Sequence, residues 1–148
     1  MNRTHIQWDS PGIKPGLSKT IQRNITKADV LPFGCGADAI RDLVPTPTLT
    51  ALMVEGAIST IDPLLPEGYL TVGMSSDVTY MNPTFLDVTI TVIATLVEIN
   101  GRELVFECMA FDELGQISRG KHERRIVNAD RFMQVAHKRC DRLKGILK

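Results

Sequence analysis

Neither sign of charge dominates this chain: 17 basic side chains offset 17 acidic ones, so no global field draws it to nucleic acid or to a membrane surface. Cysteine is sparse. Cys35, Cys108 and Cys140 are odd in number, widely spaced and without a CxxC pair, which fits a reducing cytoplasm better than a disulfide scaffold. No apolar run reaches the roughly 18 residues of a spanning helix, and the N-terminus lacks the apolar core of a signal peptide. His5, His122 and His137 show no metal-ligand spacing, and neither a P-loop nor a dinucleotide fingerprint is present. These gaps predict a cytoplasmic protein with no metal, no nucleic-acid partner and no membrane partner. What is present is ordinary for a globular domain: 148 residues, 43% hydrophobic and 23% charged, enough for one domain with a proper core.

Residues 1–16 contain Pro-Gly-type breaks and no periodicity, so they read as a loose leader to a domain over 17–148. Leu17 to Thr26 alternates as a first strand. The stretch 27–45 is broken by Pro32, Gly34, Gly36 and Pro45, and an irregular segment of that length in a small domain suggests a lid or binding loop. Thr46-Pro47 then reads as an N-cap followed by proline at the first helical position. The helix over 47–61 is apolar nearly all round, so it should be buried on most sides. Four strands follow: Tyr69 to Met81, Val88 to Ile99, Glu103 to Asp112 and Gln116 to Val127. Asn100-Gly101 is a strong hairpin signal. Asn128 or Asp130 starts a basic C-terminal helix from about 130. The expectation is an α+β fold in which a long antiparallel meander wraps one buried helix, the hot-dog arrangement.

The last strand is the most informative. Alternation puts Ser118, Gly120, His122, Arg124 and Ile126 on one face and Arg119, Lys121, Glu123 and Arg125 on the other. The second face is a wet surface. The first mixes Gly and Ile with His and Arg, and an unpaired buried Arg is costly. Such a face either borders a polar cavity or supplies ion pairs to an interface.

Three segments carry a resemblance: Thr46-Pro47-Thr48-Leu49-Thr50-Ala51-Leu52-Met53, Pro63-Leu64-Leu65-Pro66-Glu67-Gly68 and Gly120-Lys121-His122-Glu123-Arg124. Together, over about Val44 to Val127, they resemble the fluoroacetyl-CoA thioesterase family of hot-dog proteins. The resemblance implies a homodimer, with a tetramer as the further option. It implies hydrolysis of an acyl-CoA thioester at the subunit interface, with coenzyme A only as part of the substrate and no other cofactor. The family's catalytic Thr falls on Thr46, and a Gly whose N–H lies near the substrate carbonyl falls on Gly73. The strand Arg falls on Arg124. The helix Glu falls on Val54, with Glu55 next to it, and the family's His falls on Tyr80. Val54 has no acid–base chemistry, and a tyrosine near its usual pKa of about 10 is a donor rather than a base at neutral pH.

The expected catalytic set is therefore Thr46, Glu55, Tyr80 and Gly73, with Arg124, Asn82, His122, Val54 and Phe33 binding substrate. Each has a plainer reading. Thr46 is a helix cap, and Glu55 an ion pair with Arg124 or a nearby His. Tyr80 is a strand-end aromatic, Asn82 a turn residue, and His122 a hydrogen-bonded core histidine. Cys35 and Cys108 belong to no triad and read as structural. The function expected is hydrolysis of a small acyl-CoA whose acyl group is open and is not fluoroacetyl. The alternative is a hot-dog protein that binds acyl-CoA without hydrolysing it. A dehydratase, which would need Asp77 or Asn82 paired with His122, ranks last.

Overall fold

The computed structural model describes residues 12–30 and 36–147. Most of the expected leader, together with Phe33 and Cys35, lies outside the described residues. Among the described residues, five strands form one antiparallel sheet: β1 (Ser18–Asn24), β2 (Tyr69–Tyr80), β3 (Thr89–Asn100), β4 (Glu103–Asp112) and β5 (Gly115–Asn128). It is accompanied by the α-helices α1 (Thr46–Ile61) and α2 (Ala129–Ile146). The irregular stretch before α1 contains short 3-10 turns at Lys27–Asp29 and Asp38–Ile40.

Alternating hydrophobicity makes the sheet two-faced. Ile90, Val92, Ala94 and Leu96 of β3 are buried, and so are Leu104, Phe106, Cys108 and Ala110 of β4. On β5, Ser118, His122, Arg124 and Ile126 are buried while Arg119, Lys121 and Arg125 are exposed. The inner face closes on Leu49, Leu52, Met53, Ala57 and Ile61 of α1. The sheet wraps the helix in the hot-dog arrangement.

One expectation about topology is corrected. The strand order is β1-β3-β4-β5-β2, so the meander comprises β3, β4 and β5, and β2 pairs with β5 at the sheet edge. Tight turns hold the meander together: Gly101 and Gly115 take the positive φ values, 62° and 138°, that such turns need. The 81–88 link between β2 and β3 contains Pro83 and is long enough for its two strands to lie apart in the sheet.

The start of α1 also differs from expectation. Its N-cap is Pro45, with φ −77° and ψ 154°. The Pro45 carbonyl accepts from the N–H groups of Thr48 and Leu49, and Thr46 is already helical. Nor is the helix covered all round, since Ala51 and Ile58 are exposed on the side away from the sheet.

Two glycines let helix and sheet approach. A Cβ on Gly56 would lie 3.2 Å from the Cβ of Ala94. A Cβ on Gly120 would lie 3.0 Å from Met53 Sδ, 3.0 Å from Val78 Cγ2 and 3.1 Å from the Asp77 carbonyl oxygen, which is too close on three sides. Gly120→Ala is expected to cost roughly 1–3 kcal/mol through overpacking, read as a lowered urea midpoint; an unchanged midpoint would show that Met53 and Val78 yield freely.

Candidate functional site

The inward polar pair of β5 is the centre of a buried network beside the C-terminal end of α1. The Arg124 side chain crosses to β2, where its Nε donates to Thr71 Oγ1 at 2.7 Å and its Nη2 to the Thr71 carbonyl oxygen at 2.9 Å. Thr71 in turn donates its hydroxyl to Asp62 Oδ1 at 2.5 Å and its N–H to Asp62 Oδ2 at 3.3 Å. Asp62 is the C-cap of α1. A carboxylate at that end opposes the helix dipole, and the Arg124 cation beyond Thr71 offsets the mismatch. Burial pulls the Arg124 guanidinium below its ordinary value, and Asp62 works in the opposite direction.

His122 is fixed by the same network. Its Nε2 lies 3.1 Å from Arg124 Nη1. A guanidinium only donates, so Nε2 accepts and the ring proton sits on Nδ1. That proton points at the Ser75 carbonyl oxygen, 2.9 Å away, with Ser76 Oγ at 2.7 Å. Both ring nitrogens are engaged, so His122 is a neutral, hydrogen-bonded histidine with no lone pair free for a substrate proton. Burial, with Arg124 adding to it, lowers its pKa below the ordinary 6.5, although the Ser75 carbonyl pulls the other way.

The β2–β5 register opens this cluster to solvent. Gly73 stands opposite Arg124, Ser76 opposite His122, and an irregularity between Gly73 and Ser75 displaces Met74. Gly73 to Asp77 are exposed along the sheet edge. Without a Cβ, Gly73 leaves room above Arg124 Nη1 and His122 Cε1, which would lie 3.4 and 3.5 Å from such an atom. Because Thr71 gives its N–H to Asp62 rather than to β5, alternation directs the Gly73 N–H off the edge as well. Three of the five Arg124 N–H groups are engaged, and two remain open among the described residues. The arrangement is a buried cation with spare donors under an accessible backbone N–H, the kind of site that stabilises developing negative charge on an oxygen.

The other expected residues lie elsewhere. Tyr80 is at the far end of β2, about 20 Å of strand from Gly73. Its hydroxyl accepts from the Thr84 N–H at 3.1 Å, and the Thr84 carbonyl accepts from the Val44 N–H at 2.9 Å. This ties Tyr80 to the start of α1, where Thr46 sits half-buried and its carbonyl accepts from the Thr50 hydroxyl at 3.1 Å. The Tyr80 hydroxyl keeps its own proton to donate. Asn82 is a turn residue, donating through Nδ2 to the Gln116 carbonyl at 2.9 Å.

Glu55 does not join Arg124 or His122. It pairs with Arg23 of β1, at the opposite edge of the sheet from β2. One residue of helix is about 100° of rotation, and that step turns Glu55 toward β1 while half-buried Val54 keeps the neighbouring direction.

Sequence reasoning missed Asp62, Thr71, Ser76 and Thr48. Asp62-Pro63 was legible only as a helix terminator. Thr71 shares the face of Gly73 two residues on, a signal that alternation offers but that does not reveal its partners. Thr48 is buried, and its Oγ1 has no hydrogen-bond partner among the described residues. Cys108 is also buried, and burial pushes its thiol up to about 12, so it packs rather than reacts. A separate cleft of about 440 Å³ is lined by Thr26, Lys27, Ala28, Asp42, Phe85, Leu86 and Asp87. Among the described residues, none of the expected site residues lines it. Among the described residues no helix is long and apolar enough to cross a membrane.

Comparison with known proteins agrees with the architecture. Residues 25–130 match a family model described as fluoroacetyl-CoA-specific thioesterase. A fluoroacetyl-CoA thioesterase of Streptantibioticus cattleyicolor is 29% identical over 91 residues, which are 62% of this chain and 66% of that protein; the match thus spans just under two thirds of the relative. A hot-dog-like protein from Thermanaerovibrio acidaminovorans superposes with a TM-score of 0.79 at 24% identity, covering 84% of this chain and 91% of the other. A threonine-to-serine variant of a fluoroacetyl-CoA thioesterase, solved with acetyl-CoA, gives a TM-score of 0.79 at 21% identity over 86% of this chain and 98% of the other.

The locked neutral state of His122 has a consequence for stability. Its folded pKa is lowered, so as pH falls the unfolded chain takes up the proton first. Stability is full above about 6.5 and declines as pH drops through that value toward the lower folded one. The urea midpoint should fall between pH 8 and pH 5.5, and His122→Gln, although less stable throughout, should show a shallower decline. Equal declines in the two proteins would assign the acid sensitivity to other groups.

Proposed function

The chain belongs to the fluoroacetyl-CoA-specific thioesterase family, and we propose that it hydrolyses a small acyl-CoA thioester at a site shared between two copies of the chain. The observation that carries the reading is Arg124: a buried guanidinium with two N–H groups open among the described residues, beneath the outward N–H of Gly73. A thioester carbonyl placed there meets donors that strengthen as its oxygen gains charge. Water adds to the carbonyl carbon, the carbon–sulfur bond breaks, and the acyl group leaves as a carboxylate. Of the two protons lost by water, one goes to solvent at the exposed Gly73–Asp77 edge and the other protonates the departing thiolate, which is released as coenzyme A.

The shared site is supported by distance. Thr46 and Tyr80 stand at one end of α1, and Gly73, His122 and Arg124 stand at the other. Sixteen residues of helix separate the two groups by about 24 Å, too far for one substrate carbonyl to touch both. A two-fold axis at the open edge of β2 would run the two α1 helices in opposite directions and bring the Tyr80 end of one copy to the Arg124 end of the other. Tyr80, with its proton free, then orients the thioester, and the Thr46 end of the helix supplies its positive dipole. Glu55, held by Arg23, has no part in the chemistry. The acyl group is small but not fluoroacetyl, since Val54 and Tyr80 stand where the resemblance expects the carboxylate and the imidazole.

A thiol-release assay over short, branched, aromatic and fluorinated acyl-CoAs tests the activity. Turnover of a short acyl-CoA is expected, reduced about a hundredfold by Tyr80→Phe and little changed by Glu55→Ala. No turnover of any ester overturns the hydrolase reading, and binding without turnover would make the chain an acyl-CoA-binding protein.

Co-expressing Tyr80→Phe with Arg124→Lys tests the sharing. Each variant alone should be poorly active, and the mixture should recover turnover, because a mixed pair contains one site with both groups intact. No recovery would put Tyr80 and Arg124 to work in separate sites.

A further inference from the structure

The C-terminal helix has no role in the site just described and buries none of its residues. A helix of this kind takes most of its stability from packing an amphipathic face, yet α2 leaves Phe132 at 46%, Met133 at 50%, Leu143 at 47% and Ile146 at 77% exposure. Apart from Val135, which lies off the seam, its apolar residues are ordered. Ala129, Met133, Ala136, Cys140, Leu143 and the C-cap Leu147 recur at alternating spacings of four and three, the narrow seam of a coiled coil. Arg131, Lys138 and Arg142 lie on the outer side.

We propose that α2 is an interface between copies of this chain, pairing antiparallel with α2 of a second copy about a two-fold axis near residue 138. Reversal about that point sets Met133 against Leu143 and Ala136 against Cys140, so in the central layers large residues meet large and small meet small, while Ala129 meets Leu147 at each end. It places Asp130 beside Lys144 and Phe132 beside Ile146 at the flanking positions. A parallel pair would instead bring Arg139 against Lys144, a like-charge contact. In the antiparallel pair Arg139 approaches its own copy near the axis, and its long stem carries the charge out to water. The small seam residues Ala129, Ala136 and Cys140 favour close helix approach and offer a lipid surface little apolar area. This interface is independent of the β2 edge and of the hydrolase reading.

Disulfide trapping tests it. Met133→Cys and Leu143→Cys are introduced together in a full-length chain whose Cys35 and Cys140 are replaced by Ala; Cys108, buried with its thiol pushed up to about 12, stays silent. Within one helix the two new cysteines are about 15 Å apart, beyond the reach of a disulfide. Mild oxidation should give a covalent dimer for the double variant and none for either single variant. A dimer from Met133→Cys alone would mean parallel pairing and overturn the proposal. Absence of any covalent dimer would also overturn it, and flotation of the reduced protein with phosphatidylserine vesicles would then assign the helix to a membrane surface.

Discussion

A buried guanidinium sets the terms for one end of this molecule. Arg124 is only 4% exposed, and a cation there is tolerated because its donors are matched and its charge is opposed. Thr71 answers with its hydroxyl and carbonyl, His122 with a lone pair, and Asp62 with a negative charge one residue removed. Each of these is constrained in turn. Thr71 must stay in register on β2, His122 must remain neutral with its proton on Nδ1, and α1 must end with Asp62 facing the sheet. The network joins α1, β2 and β5 at one point.

The same matching explains why the cluster is not a catalytic triad. A histidine whose two nitrogens are both spoken for holds geometry and does not move protons. What the network leaves over is electrostatic: two guanidinium N–H groups and a backbone N–H at an edge that solvent reaches. Thioester hydrolysis suits such a site, because the developing oxyanion needs donors and a thiolate departs more readily than an alkoxide.

The close fit of α1 to the sheet sets the dimensions of the candidate site. Gly56 against Ala94 and Gly120 beneath Met53 bring the helix down onto β3 and β5, so its two ends are pinned at opposite ends of the same β2 strand. Tyr80 and Gly73 are thereby held far apart within one chain. The distance that separates them comes from helix and strand lengths, which no loop adjustment can shorten.

Much of this was legible in the sequence because it rests on local periodicity. The inward row of β5, the inward rows of β3 and β4, the hairpin at Gly101 and the Asn128 cap, whose side chain accepts from the Arg131 N–H, all follow from patterns a few residues long. Arg124 could be marked as a buried cation needing a partner. What alternation could not name was the partner, because Asp62 and Thr71 lie more than 50 residues away in the chain and reach it only when β2 docks on β5. The side toward which Glu55 turns and the cap position taken by Pro45 were likewise set by packing: a single helical step of about 100° is decided by which strand lies alongside. Sequence alone determined which faces are wet and which are dry, since burial follows spacing; tertiary structure decided which polar groups meet, since that depends on how distant segments are brought into register.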